Sequence, residues 1–202
     1  NDENEASWGN CALEISKDVH EIKKEYGLVV RGMEEILANR PDDNGMFFHE
    51  LMMILKESMG TEIKYRKKNI EIKFDLGDDF YTEKHYYLMS IFRNIVVNSI
   101  DSIDKKGKII FIHETNEENH KFIIEDNGCG ISGEDLSHIF TAGFSTKIDY
   151  VTGEVNRGLG LSLVKNIVEF HLKGDIHVHS IEGSGTTFIV SIPKKELEGG
   201  IS

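Results

Sequence analysis

The sequence predicts an α+β chain: an N-terminal antiparallel helical hairpin, a four-helix bundle in the dimer, followed by an α/β sandwich with a mixed sheet. Three observations carry this. Apolar residues recur at helical spacing through the first forty positions. From about residue 68, runs that alternate with period two take turns with helical stretches. The last such runs form a hairpin around a Gly-Ser-Gly turn, so strands and helices share one sheet with helices on one face.

The first helix is marked by Trp8, Ala12, Ile15, Val19, Ile22, Tyr26, Val29, Met33 and Ile36, which fall at alternating steps of four and three. That is the seam of a coiled coil. Gly27 and Gly32 each weaken such a helix by about 1 kcal/mol relative to Ala, so packing has to hold it. Arg40-Pro41-Asp42-Asp43-Asn44-Gly45 is a turn by composition. A second helix follows with Phe48, Leu51, Leu55 and Met59 on one side. One hairpin cannot bury both stripes, whereas two copies can. The expectation is a homodimer through residues 5–67, with one domain over 1–67 and another over 68–202.

In the second part, Ile70-Glu71-Ile72-Lys73-Phe74 is a half-buried strand. Glu83 to Asp104 is helical. Lys108–Glu114 and Lys121–Glu125 read as a strand pair, Leu159–Leu172 as a helix, and Asp175–Ser180 with Thr186–Ile192 as a closing hairpin turned at Glu182-Gly183-Ser184-Gly185. Thr141 to Arg157 has no apolar periodicity and lies between two glycine-bearing motifs. A loop that long in a compact domain reads as a mobile lid.

Those motifs suggest a nucleotide pocket. Asn94, Asn98 and Asp101 share one helix face, and a neutral amide oxygen is a hard ligand suited to Mg²⁺; a solvated polar face would look the same. Phe122-Ile123-Ile124-Glu125-Asp126-Asn127-Gly128-Cys129-Gly130-Ile131 is a buried strand ending in a carboxylate able to accept from an exocyclic amine, with glycines permitting close approach. A β-turn accounts for Asp-Asn-Gly equally well. Arg157-Gly158-Leu159-Gly160-Leu161 opens a helix, where unpaired N–H groups make an anion site, although a lone Gly-x-Gly occurs in many loops. Between them, Phe140 to Lys147 offers aromatics, hydroxyls and an ammonium.

Several classes are disfavoured. A net charge of −12 speaks against a nucleic-acid surface but not against ATP, whose phosphates are met by Mg²⁺ and backbone N–H groups. No apolar run approaches the ~18 residues of a membrane span. Cys11 and Cys129 form no C-x-x-C, so neither a disulfide scaffold nor a thiolate zinc site is expected, and a reducing cytoplasm fits.

The order and spacing of the segments resemble the ATP-binding domain of two-component histidine kinases, within the superfamily that includes gyrase, the ninety-kilodalton heat-shock chaperones and mismatch-repair ATPases. Asn94 to Asp101 looks like the family's N box, Asp126 to Gly130 its G1 box, Phe140 to Lys147 its F box, and Gly158 to Leu161 its G2 box. Gly183 to Phe188 resembles the closing glycine–threonine strand. The resemblance implies that Asp126 binds the adenine amino group, assisted by Thr186, with Gly128, Gly130 and Ile131 beside them. It implies that Asn98 ligates Mg²⁺, with Asn94 and Asp101 nearby. Gly158, Leu159, Gly160 and Leu161 would meet the phosphates, with Phe140, Thr146 and Lys147 in the lid region 141–157.

Val19-His20-Glu21-Ile22-Lys23-Lys24 is similar to the H box of the dimerisation and phosphotransfer domain, which implies His20 as the phosphorylated residue and Glu21 as its proton partner. With Val19 and Ile22 on the seam, His20 falls one step off it and reaches solvent. The other histidines read as structural or surface. Lys24 stands where many members have Thr or Asn, no proline follows the histidine before Pro41, and the His-Glu-Ile-Lys-Lys form resembles kinases that sense glutamine and dicarboxylates. The partners implied are a second copy of the chain and a response regulator receiver domain, with any membrane link through an upstream sensor region. Two alternatives stand beside this: a hydrolysing ATPase of the same superfamily, or a catalytically silent dimeric scaffold. Hydrolysing relatives carry Glu where this chain has Asn94, a poor general base.

Overall fold

Period-two alternation is realised as a five-stranded sheet in the computed structural model, which describes residues 45–144 and 158–198. These residues belong to the second of two compact units, Asn1–Asp43 and Asn44–Ser202. The elements in chain order are β1 (Met46–Phe47), α1 (Phe48–Tyr65), β2 (Asn69–Leu76), β3 (Tyr81–Thr82), α2 (His85–Ser102), β4 (Lys106–Thr115), β5 (Asn119–Asp126), α3 (Gly133–Leu136), α4 (Gly160–Asn166), β6 (Asp175–Ile181), β7 (Gly185–Pro193) and α5 (Lys194–Leu197). The main sheet runs β2-β4-β5-β7-β6. Only β2 and β4 are parallel, so the sheet is mixed, as expected.

Alternation decides which face is covered. Phe122, Ile124 and Asp126 of β5 are buried, as are Thr186, Phe188, Val190 and Ile192 of β7. That one face receives α2, which touches β4, β5 and β7 and is flanked by α1 and α4. Leu88, Ile91, Phe92, Ile95 and Ile100 of α2 are fully buried there. The helix expected to run unbroken from Leu159 to Leu172 instead changes from α over Gly160–Asn166 to a π turn over Ile167–His171.

The packing groups α1 with the strands, on the other side of the boundary expected at 67/68. The stripe Phe48, Leu51, Leu55 and Met59 is buried as read, together with Met52 and Ile63, but its partner is the sheet unit. Phe48 stacks on Phe80 with centroids 5.0 Å apart and meets His113 edge-on at 4.7 Å. Helical spacing shows that a face is buried; it does not name what buries it. The chain divides between Asp43 and Asn44, and α1 belongs with the strands. The first helix, with His20 and Glu21, lies outside the described residues.

The loop after α1 ties it to α2. Lys68 Nζ donates to the carbonyls of Ile100 at 2.7 Å and Ile103 at 2.5 Å, a cation meeting the orphan carbonyls where α2 ends. At the far end of β5 from Asp126, His113 and His120 are buried, and His113 Nε2 and His120 Nδ1 are hydrogen-bonded at 3.0 Å. His120 Nε2 lies 2.7 Å from Glu198 Oε1. Burial, then the neighbouring His120, lowers the His113 pKa to about 4. Burial also lowers that of His120, against the pull of Glu198.

Candidate functional site

Asp126 ends β5, where its register partners are Ile109 on β4 and Thr186 on β7. The strand pattern turns its carboxylate to the α2 side, and it is only 5% exposed. A buried carboxylate needs donors, and α2 and the following turn supply them. Ser99 Oγ donates to Oδ2 at 2.8 Å and Gly128 N–H to Oδ1 at 2.9 Å. Ser102 Oγ lies 3.1 Å from Oδ1.

The turn after β5 is pressed onto the end of α2. Cys129 N–H donates to Ser102 O at 2.9 Å, and a Cβ at Gly128 would lie 1.9 Å from Ser102 Oγ. Only glycine fits that approach. Further on, Ile131 N–H donates to Ser180 Oγ at 2.8 Å, and that oxygen lies 2.9 Å from Thr186 Oγ1. Thr186 is thus held beside Asp126 by the β6–β7 hairpin.

Toward the other end of the cleft, Asn94 Nδ2 donates to Ser90 O at 2.7 Å, which leaves Oδ1 directed at Gly160. A Cβ at Gly160 would stand 2.8 Å from it. Gly158 has φ +60°, and a Cβ there would lie 2.2 Å from the Phe144 carbonyl oxygen. Gly143 N–H donates to Gly158 O at 3.3 Å, so the two ends of segment 145–157 are drawn together.

Between these groups lies a cleft of about 740 Å³, within the range of small-molecule sites. Asn94, Asn98, Asp101, Asp126, Gly130, Ile131, Gly158, Leu159, Gly160, Leu161 and Thr186 line it together. Gly128 and Phe140 are not on the wall. Gly128 acts behind Asp126, and the Phe140 ring has Lys165 Nζ 5.4 Å from its centroid. Thr146 and Lys147 lie outside the described residues. Asp101 is on the wall, but its carboxylate is bound by Arg66, which also donates to Glu62 at 2.7 Å.

Sequence reasoning missed Arg66, Ser99, Ser102 and Ser180. Ser99 and Ser102 were within reach, because polar residues at three-residue spacing continue the Asn94–Asn98 face toward Asp126. Arg66 and Ser180 carried no local signal, since only tertiary packing brings Arg66 to the cleft and Ser180 against Thr186.

A buried acceptor at the strand ends, amides on a central helix and glycines leading into the next helix define a nucleotide-binding α/β sandwich. Residues 83–196 match the family described as histidine kinase-, DNA gyrase B-, and HSP90-like ATPase, and the chain belongs to that family. Within it, similar proteins include sensor histidine kinases. Sensor histidine kinase GlnK of Bacillus subtilis is 27% identical over 187 residues, covering 92% of this chain and 45% of that protein. Sensor histidine kinase ZraS of Salmonella typhimurium is 32% identical over 152 residues, covering 74% of this chain and 30% of that protein. The chain therefore spans less than half the length of these curated relatives. Among solved structures, the catalytic domain of histidine kinase ThkA superposes with a TM-score of 0.61 at 26% identity, covering 74% of this chain and 98% of that one. Full-length ShkA in complex with AMPPNP shares the fold, with a TM-score of 0.62 at 20% identity over 78% of this chain and 33% of that one.

Proposed function

We propose that this chain is the kinase core of a two-component sensor: it moves the γ-phosphoryl group of ATP to His20 and then to an aspartate of a response regulator receiver domain. The observation that carries the reading is the cleft itself, with Asp126 and Thr186 side by side at one end and Asn94 against Gly160 at the other.

In this reading, the Asp126 carboxylate accepts the adenine amino group, with Thr186 assisting through water. Backbone groups at Gly158 and Gly160 meet the phosphates, and residues 141–157, with Phe140, Thr146 and Lys147, close over them. The donor set fits Mg²⁺. Asp101 is already paired with Arg66, which leaves neutral amide oxygens on that helix face, and Mg²⁺ draws most of its ligands from phosphates and water. Asn98 would hold the ion, whose role is to neutralise phosphate charge. The Nε2 lone pair of His20 forms the new N–P bond as the bond to the leaving ADP oxygen breaks, with the Nδ1 proton accepted by Glu21. Such transfer needs alignment and charge neutralisation more than covalent help from the protein.

The same reading takes residues 5–67 as the dimer contact, and a cytoplasmic location with any membrane link through a sensor region. Among the described residues no helix is long and apolar enough to cross a membrane. Hydrolysis as the main activity is disfavoured by Asn94, an amide whose Nδ2 already donates to Ser90 O.

The test is incubation with γ-labelled ATP. Label that is acid-labile and base-stable should appear on the wild type and vanish in His20→Ala and Asn98→Ala. Label persisting in His20→Ala would refute the acceptor, and full labelling of Asn98→Ala would refute the metal assignment.

A further inference from the structure

We propose that Ser99 sets the base selectivity of the cleft by fixing the Asp126 carboxylate from behind, a positioning role that rests on reading Asp126 as the acceptor for the base. Ser99 lies inside α2, one residue past Asn98, and is 1% exposed. A serine in a helix readily turns its hydroxyl back onto the carbonyl four residues earlier. Ser99 instead donates to Asp126 Oδ2 at 2.8 Å.

The other groups around that carboxylate leave Ser99 a distinct share of the work. Gly128 N–H holds Oδ1 at 2.9 Å. Ser102 Oγ lies 3.1 Å from Oδ1 and 2.9 Å from the Ser99 carbonyl, and its single proton serves one of them at a time. Ser99 is therefore the hydroxyl whose proton belongs to Asp126, and the group that holds Oδ2. An ionised carboxylate offers about four acceptor positions and no donor. With one position on each oxygen taken from the protein side, the plane of the carboxylate is set. What remains for a ligand in the cleft is an oriented pure acceptor.

Such an edge suits a purine with an amino group at position 6. It opposes a 6-oxo purine, whose carbonyl would meet it acceptor against acceptor. Without Ser99 the carboxylate is held through Oδ1 alone and can rotate, so an amine gains less from it and a carbonyl is opposed less.

The experiment is calorimetric titration of the full chain with ATP and with inosine triphosphate, its 6-oxo counterpart. The proteins are the wild type, Ser99→Ala, Asp126→Asn and the double variant. The wild type should prefer ATP. Ser99→Ala should narrow the ATP-to-inosine-triphosphate affinity ratio by roughly three- to tenfold, the range expected for ordering one side chain. In the Asp126→Asn background the same change should leave the ratio where it was, because the two residues act as a unit. Ser99→Cys, which keeps the size but donates weakly, should shift the ratio in the same direction and serves if the alanine variant does not fold. An unchanged ratio in Ser99→Ala, or an equal shift with and without Asp126, would reduce Ser99 to packing and overturn the proposal. A wild type indifferent to the two nucleotides would instead remove the role given to Asp126, and this inference with it.

Discussion

Replacing Phe48 by Ala tests whether α1 belongs to the sheet unit. Phe48 is fully buried, and its ring lies 5.0 Å from Phe80, 4.7 Å from His113, 5.5 Å from Phe122 and 6.3 Å from Phe92. These neighbours come from β4, β5, α2 and the segment before β3, so the cavity left by truncation would open at the junction of four parts of the fold. Removing a buried Phe costs about 3–5 kcal/mol. That is a large share of the roughly 5–15 kcal/mol that stabilises a domain, and at about 2–4 °C per kcal/mol it lowers the melting temperature by roughly 6–20 °C. A fluorescent ATP analogue reports on the cleft in Asn44–Ser202. Thermal melts of wild type and Phe48→Ala should show the cleft signal lost at lower temperature. A loss under about 1 kcal/mol would refute the assignment of α1 to the strands.

Two further outcomes are expected. The His113 pKa is lowered in the folded state to about 4 from an ordinary 6.5, first by burial and then by His120. Between those values the unfolded chain binds more protons, so stability rises with pH through the window and is lost as pH falls below about 6.5. Unfolding free energies from urea titrations should be roughly 2 kcal/mol lower at pH 5 than at pH 7 through His113, and His113→Gln should flatten that slope; an equal slope in the variant would refute the linkage. Gly158→Ala adds a Cβ 2.2 Å from the Phe144 carbonyl oxygen at φ +60°. The strain of at least about 1–2 kcal/mol should disturb the neck of segment 145–157 and weaken ATP affinity about tenfold or more. Calorimetric titration checks this, and unchanged affinity would show that the neck does not shape the phosphate end.

Most of the sheet unit was legible because its signals are local. The alternation at Ile70–Phe74 falls within β2, the helix read at Glu83–Asp104 is α2 over His85–Ser102, and the closing hairpin is β6 and β7. Eleven of the residues read into the pocket do line one cleft, since the motifs sit at strand ends and helix starts. Three things were not legible. The partner of the α1 stripe was missed because amphipathicity is blind to what it packs against. The hydrogen bonds from His113 to His120 and from His120 to Glu198 join residues far apart in sequence, and an isolated histidine carries no sign of burial. The pairing of Asp101 with Arg66 was missed because the arginine arrives from the end of another helix.

The two ends of the cleft are built by different means, and that division has a functional consequence. Asp126 and Thr186 are register partners on adjacent strands, so backbone pairing fixes their separation, while Ser99 and Gly128 brace one and Ser180 the other. A group meant to discriminate between ligands has to sit on rigid elements and be supported from behind, and this end meets both conditions. The other end is made of Asn94 against Gly160 and of a neck where Gly143 meets Gly158 across segment 145–157. Its geometry rests on these loop and helix-start contacts rather than on strand register. On the proposed reading, a chain that holds a nucleotide by its base yet delivers its terminal phosphoryl group to His20 would need this asymmetry. If both ends were braced alike, base recognition and phosphoryl delivery would share one geometry, and neither could change without the other.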